Sequence, residues 1–334
     1  MTTTELIRDL AAAGRKLGEA DTQDFLCTQA NRHNGWFTPE NTKKAIQSIL
    51  PWLEPDALQQ WIADYRIPSG PQRTVGVVAA GNIPMAGLHD ALAVLVSGYR
   101  LNIKLSSQDD QLIPFLFNQL FNISDDWRSR ISVVEQVRGC DAVIATGSNN
   151  TARYFEYYFR HIPLLLRRNR NSAAVVTGNE TDNELKGLAD DMLQYFGLGC
   201  RSVSHLLIPE QFNLDRIIGN MTHWYHLADH HKFGNSYTYQ RAILMLDQQP
   251  FIENGFLIFR ESELLSSPVA TIHYSRYASI EEANTRLSSW HDDLQCVVTS
   301  SEGIPGGIPF GTAQTPQLND YADGINTLEF LTGL

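Results

Sequence analysis

The chain has 334 residues, 43% hydrophobic and 19% charged, with 26 Lys and Arg against 37 Asp and Glu and a net charge of −11. That is enough apolar material for a sizeable core and enough length for two domains. The acidic balance, with no run of Lys and Arg, excludes a nucleic-acid-binding face.

The four cysteines, Cys27, Cys140, Cys200 and Cys296, are irregularly spaced and include no C-x-x-C pair. This argues against a zinc ribbon or a disulfide framework and for reduced thiols. The first ten residues carry Glu5 and Asp9 rather than a basic stretch and an apolar core. No apolar segment nears the roughly 20 residues of a membrane span. The expectation is a soluble, cytoplasmic protein.

Residues 1–70 read as a helical segment. Helical periodicity runs from Thr4 to Leu17, with Thr3 or Thr4 as N-cap. Thr38-Pro39-Glu40 opens a second helix, with Pro at its first position, and a third runs from Pro55 to Tyr65. Pro68-Ser69-Gly70-Pro71 is a turn cluster. After it, Thr74–Ala80 is an apolar, β-branched run suited to a strand buried on both faces. A helix (His89–Ser97), a strand (Arg100–Lys104), a helix (Leu112–Leu120) and strands at Ile131–Val134 and Asp141–Ala145 follow. This alternation predicts an open parallel sheet over 71–178. A second α/β region begins near Ala173–Val176 and continues through strands at Ser204–Ile208, Pro268–Ile272 and Gln295–Val298, with the second domain bounded at 179–305. Residues 306–334 form a Gly- and Pro-bearing return segment.

Four constellations can carry chemistry. Ala80-Gly81-Asn82-Ile83-Pro84 lies where a strand hands over to a helix, the usual ligand edge of a doubly wound sheet. Asn82 there can aim its amide at an oxyanion, or serve as a turn residue. Lys104-Leu105-Ser106-Ser107 ends the next strand; it can hold a ribose or a phosphate, or be a solvated strand end. Thr146-Gly147-Ser148-Asn149-Asn150-Thr151 leads into a helix. It can bind an anion or simply cap, and it is neither G-x-G-x-x-G nor a Walker A sequence. Gly197-Leu198-Gly199-Cys200-Arg201 lets backbone approach a substrate closely, with Arg201 placed to lower the thiol pKa. A lone Cys in such a place is otherwise an inert buried residue.

Two further clusters have simpler readings. On a helix, His223, His226 and His230 share a face at metal-ligand spacing, but no H-E-x-x-H accompanies them, so no metal is expected. Arg167-Arg168-Asn169-Arg170 could at most meet a phosphorylated small molecule.

Taken in order, these motifs resemble the aldehyde dehydrogenase superfamily. They are closer to the acyl-CoA reductase family, which includes the fatty-acid reductase of bacterial luminescence. The resemblance runs from His33-Asn34-Gly35-Trp36-Phe37-Thr38-Pro39 to the C-terminus. It implies an α/β fold with a Rossmann-type cofactor domain, an α/β catalytic domain and a helical N-terminal segment. It makes Cys200 the catalytic thiolate and Asn82 the side-chain half of the oxyanion hole. Lys104, Ser106, Ser107, Gly147 and Ser148 become cofactor-binding residues.

Departures from the family pattern narrow the expectation. Leu166 stands where an aldehyde dehydrogenase carries its general-base Glu, which favours acyl reduction over oxidation. Ser107 replaces a ribose-binding Glu that would repel a 2′-phosphate, and Lys104 is left to pair with that phosphate, so NADPH is favoured with NADH possible. The family's Glu-x-Phe-Gly-Pro becomes Leu264-Leu265-Ser266-Ser267-Pro268, with the nearest carboxylate at Glu263. The implied substrate is an acyl-CoA or acyl-protein thioester, and the implied assembly a homo-dimer or tetramer. A CoA-independent aldehyde or semialdehyde dehydrogenase and a catalytically silent acyl-binding subunit are the rival readings.

Overall fold

A computed structural model describes the chain except residues 66 and 68–72 and the side chain of Asn149, so the Pro68–Pro71 turn cluster lies outside the described residues. The chain folds as two units, Met1–Asn169 with Pro316–Leu334, and Arg170–Thr315.

The first unit begins with α1 (Thr3–Gly18), α2 (Ala20–His33), α3 (Pro39–Ile49) and α4 (Pro55–Ile62). Thr2, one residue ahead of the expected cap, closes a capping box with Glu5 on α1. Leu6, Leu10, Ala13 and Leu17 then form one buried stripe. Thr38 caps α3, and Pro39 sits where its missing N–H costs nothing.

A five-stranded sheet follows: β1 (Thr74–Val78), α5 (Leu88–Val96), β2 (Arg100–Lys104), α6 (Leu112–Ile123), α7 (Asp126–Arg130), β3 (Ile131–Val133), β4 (Ala142–Thr146), α8 (Asn149–Tyr158) and β5 (Leu164–Arg167). All its pairings are parallel, in the order β3-β2-β1-β4-β5. The helical segment is not a separate body: α1, α3 and α4 share a core with β1, β2 and α5. The Trp127 indole N–H donates to buried Asp9 at 3.0 Å, tying α7 to α1. Residues 316–334 complete this unit, with Leu328 and Leu331 fully buried.

The second unit contains β6 (Asn171–Val175), α9 (Asp182–Leu193), β7 (Val203–Pro209), α10 (Asp215–Gly219), α11 (His231–Leu246), β8 (Ile252–Glu253), β9 (Ile258–Glu261), β10 (Thr271–Tyr277), α12 (Ile280–Ser289) and β11 (Leu294–Thr299). Its sheet runs β11-β6-β7-β10-β9-β8, parallel except for the β8–β9 pair. The unit boundary falls before β6 rather than at the expected 178, because β6 pairs with β7 and β11. The strand expected from Pro268 starts only at Thr271. Ala270 is left-handed (φ 63°), and the Thr271 N–H closes a turn on the Pro268 carbonyl at 3.0 Å. No helix among the described residues is long and apolar enough to cross a membrane. The expected α/β architecture, with a Rossmann-type parallel sheet and a second α/β unit, is present.

Candidate active site

In the first unit the strand order reverses between β1 and β4, so the chain leaves their carboxyl ends in opposite directions. Such a switch point is where open parallel sheets bind ligands. The β1 exit carries Gly81 and exposed Asn82, the β4 exit Gly147 and Ser148, and the neighbouring β2 exit Lys104, Ser106 and Ser107. The fold therefore brings all the first-unit candidates to one sheet edge.

Gly81 and Ser106 explain each other. A Cβ on Gly81 would lie 2.3 Å from Ser106 Oγ and 2.4 Å from its Cβ. Ser106 is itself held by the Gln108 N–H on its hydroxyl (3.2 Å) and the Asp109 N–H on its carbonyl (3.1 Å). The β2 loop is buttressed from α2, where His33 Nε2–H donates to the Ser107 carbonyl at 2.8 Å and the Asn34 amide to that of Gln108 at 3.3 Å. His33 also lies 3.3 Å from Asp110. Below the loop, buried Asp109 accepts the N–H of left-handed Met85 at 2.5 Å. Burial raises its carboxyl to about 6 against that donor and the Leu112 N–H. At β4, Gly147 N–H continues the sheet to the Arg167 carbonyl (3.1 Å). Ser148 is the N-cap of α8, its Oγ accepting the Thr151 N–H at 3.3 Å.

Cys200 lies in the second unit, half-buried, on the connection from α9 to β7. Three successive left-handed residues, Tyr195, Phe196 and Gly197 (φ 55°, 60° and 72°), lead into it. Non-glycine residues hold that conformation only where surroundings impose it. Here both aromatics are buried, and Phe196 stacks on His230 at 4.3 Å. The turn is then fixed from two sides. Ser172 Oγ of β6 donates to the Cys200 carbonyl at 3.0 Å. On the other side, the segment 309–315 crosses as a strap: Arg201 Nε–H donates to the Ala313 carbonyl at 2.6 Å and the Gln314 amide to Ser202 Oγ at 3.2 Å.

Asp191 of α9 anchors the strap, accepting the Gly311 and Ala313 N–H groups at 2.6 and 3.0 Å. Gly187 and Gly311 allow the backbones to meet, a Cβ on Gly187 falling 3.0 Å from Gly311 N. Burial raises the Asp191 carboxyl to about 7, opposed by the two N–H groups and by the Arg201 charge. The Arg201 guanidinium thus both bonds the strap and lies close enough to act on Asp191.

The remaining sequence candidates separate. Leu166 packs against the apolar cluster around Val143 and Ala145, so the end of β5 presents no carboxylate. The run from Arg167 to Arg170 is no phosphate cluster, because each Arg has its own partner. Buried Arg167 pairs with Asp90 at 2.8 Å and donates to Ala322 and Thr327, Arg168 pairs with Glu156, and Arg170 donates to the Leu294 carbonyl. The expected three-histidine face does not form, because His230 lies outside the helix that carries His223 and His226. Residues Thr222–Asp229 are a 3₁₀ helix, and His230 instead caps α11. His223 pairs with Asp190 at 2.8 Å, while the His226 ring bonds the His223 carbonyl at 3.0 Å. Among the described residues, no three His, Cys, Asp or Glu side chains are grouped to hold a metal ion.

Sequence reasoning passed over the supports of loop 264–268. His205 and His273 both donate Nδ1–H to the Leu264 carbonyl (2.9 and 3.0 Å), and Ser204 donates to that of Leu265 (2.8 Å). Glu263 faces Arg286 at 3.2 Å. An open cleft of about 540 Å³ lined by Arg73, Pro163, Ile325, Asn326, Glu329 and Phe330 lies at the amino-terminal edge of the first sheet, away from these residues.

No family model matches the sequence, and no curated protein does. Solved structures do match. Aldehyde dehydrogenase 21 from Physcomitrella patens, solved with the reaction product succinate, superposes with a TM-score of 0.71 over 100% of this chain and 84% of its own, at 11% identity. The fold is that of the aldehyde dehydrogenases. Betaine aldehyde dehydrogenase from Staphylococcus aureus, in complex with NAD+, gives 0.68 over 90% of this chain and 71% of its own, at 11% identity. An NADP-dependent enzyme from Escherichia coli gives 0.66 over 96% and 84%, at 14% identity. Within this aldehyde-dehydrogenase fold, Asn82, Lys104, Ser107 and Gly147 all stand on strand exits of the first unit, and Cys200 on a constrained turn of the second.

Proposed function

We propose that the protein is an acyl-thioester reductase of the acyl-CoA reductase kind, taking a fatty acyl-CoA or acyl-protein thioester to an aldehyde with NADPH, or with NADH. The end of β5 favours reduction over oxidation: it carries Leu166 in an apolar cluster and Arg167 locked to Asp90, with no carboxylate left to activate water on a thioester.

In this reading Cys200 thiolate attacks the acyl carbonyl. A new C–S bond forms, the bond to coenzyme A breaks, and coenzyme A leaves as its thiolate. The Cys200 N–H is a donor to the developing oxyanion, and it works best if it does not reorganise. The Ser172 bond and the strap serve that requirement for the Cys200 backbone. The dinucleotide suits the first sheet edge. Gly81 lets Ser106 and Gly147 lets Thr151 and Phe155 of α8 pack close against the strand exits, the start of α8 offers N–H groups to a pyrophosphate, and Lys104 and Ser107 stand at the ribose end. Bound there, the reduced dinucleotide supplies the reducing equivalents. Ser107, in place of a carboxylate, leaves room for a 2′-phosphate, and Lys104 supplies its counter-charge.

Mass spectrometry after incubation with an acyl-CoA and no dinucleotide tests the reading. One acyl group is expected on Cys200 and none on the Cys200→Ala protein. Failure to acylate Cys200, or conversion of aldehyde to acid without coenzyme A, would overturn it.

A further inference from the structure

Ser172 is a completely buried strand residue at which the sheet loses register on both sides, towards β7 between Ser172 and Ala173 and towards β11 between Leu294 and Val297. Bulges of this kind re-aim side chains. One result is the Cys200 contact already described; the other is that Cys296 Sγ of β11 lies 3.1 Å from the same Ser172 Oγ. A hydroxyl has one hydrogen. With that hydrogen on the Cys200 carbonyl, the Cys296 S–H is the donor to Ser172 Oγ, and a directed chain links the two cysteines. Cys296 Sγ is thus no more than about 6 Å from the Cys200 carbonyl oxygen. Both cysteines are half-buried, open to a small oxidant. Cys27 and Cys140 stand in the first unit, and burial pushes both of their thiols up.

We propose that Cys296 is the resolving thiol of Cys200, closing a reversible disulfide when a peroxide oxidises the nucleophile. Cys200 thiolate attacks a peroxide oxygen; the O–O bond breaks, hydroxide leaves and Cys200 becomes a sulfenic acid. Cys296 then attacks that sulfur; the S–S bond forms, the S–O bond breaks, and the hydroxide leaves as water with the Cys296 proton. Two thiols lose two electrons and one hydrogen peroxide becomes two waters. A dithiol reductant returns the pair to its active form, so oxidation stops short of the irreversible sulfinic acid. The inference rests on Cys200 being the reactive thiolate of the proposed function.

The test treats the 334-residue chain with hydrogen peroxide, blocks remaining thiols and maps tryptic peptides without reduction. Peptides 187–201 and 287–334 are expected to be joined, two hydrogens lighter than their sum, and released by dithiothreitol. In Cys296→Ser the link is lost and the yield of Cys200 sulfinic acid rises about fivefold or more. Equal sulfinic yields in the two proteins, or a link to Cys27 or Cys140 instead, would overturn the proposal. Acylation of Cys200 by acyl-CoA is scored on the same preparations. Acylation without the disulfide overturns this inference alone, and the disulfide without acylation overturns the reductase reading alone.

Discussion

Gly81 shows how a single missing side chain can set a ligand edge. Its absent Cβ is the space Ser106 occupies, and Ser106 is held by two backbone N–H groups, so it cannot swing aside. Gly81→Ala is expected to force the β1 and β2 exits apart, at about 1–3 kcal/mol of overpacking. The dinucleotide Kd, read by fluorescence titration, should weaken tenfold or more, since about 1.4 kcal/mol is one decade. Gly219→Ala, with open space around its Cβ, should leave Kd unchanged. Equal affinity in the two variants would remove Gly81 from the ligand edge.

His205 makes a residue-scale prediction about pH. Burial lowers it to about 4, and its neutral form both donates to the Leu264 carbonyl and accepts from Ser275. The unfolded chain takes up the proton near the ordinary value of 6.5. The stability contribution is therefore fully present above 6.5 and is lost as pH falls towards 4, on the order of 3 kcal/mol. Urea unfolding at pH 7 and pH 4.5 should show a loss for the wild type that is smaller in His205→Asn. Parallel curves would mean that His205 is not held neutral.

At the scale of elements, the strap 309–315 has the opposite pH dependence. Asp191 titrates at about 7 in the fold against 3.8 for the ordinary carboxyl. A raised acid stabilises the fold below 3.8, and that contribution disappears as pH climbs through 7, on the order of 2–4 kcal/mol. Asp191→Asn removes the titration and keeps one acceptor for the strap. The variant should gain on the wild type between pH 4 and pH 7.5 in the same unfolding experiment. A constant difference would show that Asp191 does not change protonation in that window.

The strap also marks where sequence stops informing. Strands β1 to β4 of the first sheet are legible as short runs bounded by turns, and its exits carry Gly81, Ser107 and Gly147, whose chemistry is local, whereas β5, running into Arg167 and Arg168, carries no such pattern. Cys200 is legible from its neighbouring glycines. Asp191 and Ser172 are not, since they act on residues far along the chain and no local pattern marks such contacts. The separate helix α2 is hard to see because only Thr22, Gln23, Leu26, Cys27 and Ala30 of its 14 residues are buried, a thin stripe. The histidine spacing misleads for a geometric reason: residues 222–229 wind as a 3₁₀ helix, on which His223 and His226 still share a face, but it stops before His230, which caps α11.

For the whole molecule the decisive feature is the return of residues 316–334 to the first unit. The segment supplies acceptors to Trp52 (the Pro316 carbonyl, 2.8 Å), to His89 (Leu318, 2.8 Å) and to Tyr99 (Leu331, 3.0 Å), and its Tyr321 hydroxyl receives the Trp61 indole N–H at 2.8 Å. It also buries Leu318, Leu328 and Leu331 in the core built by α1, α5 and β1. Burying each such side chain contributes about 2–3 kcal/mol, and each polar group stranded by its loss costs about 1–3 kcal/mol more. The total rivals the about 5–15 kcal/mol that holds a typical domain. A chain ending at Thr315 is therefore expected to lose the fold of the first unit although every sheet strand is still present. The readout is tryptophan emission. Trp52, Trp61 and Trp127, buried in the first unit, should shift to the red in the truncated protein at neutral pH without denaturant. Unshifted emission and an unchanged urea midpoint would show that the returning segment is dispensable to that core.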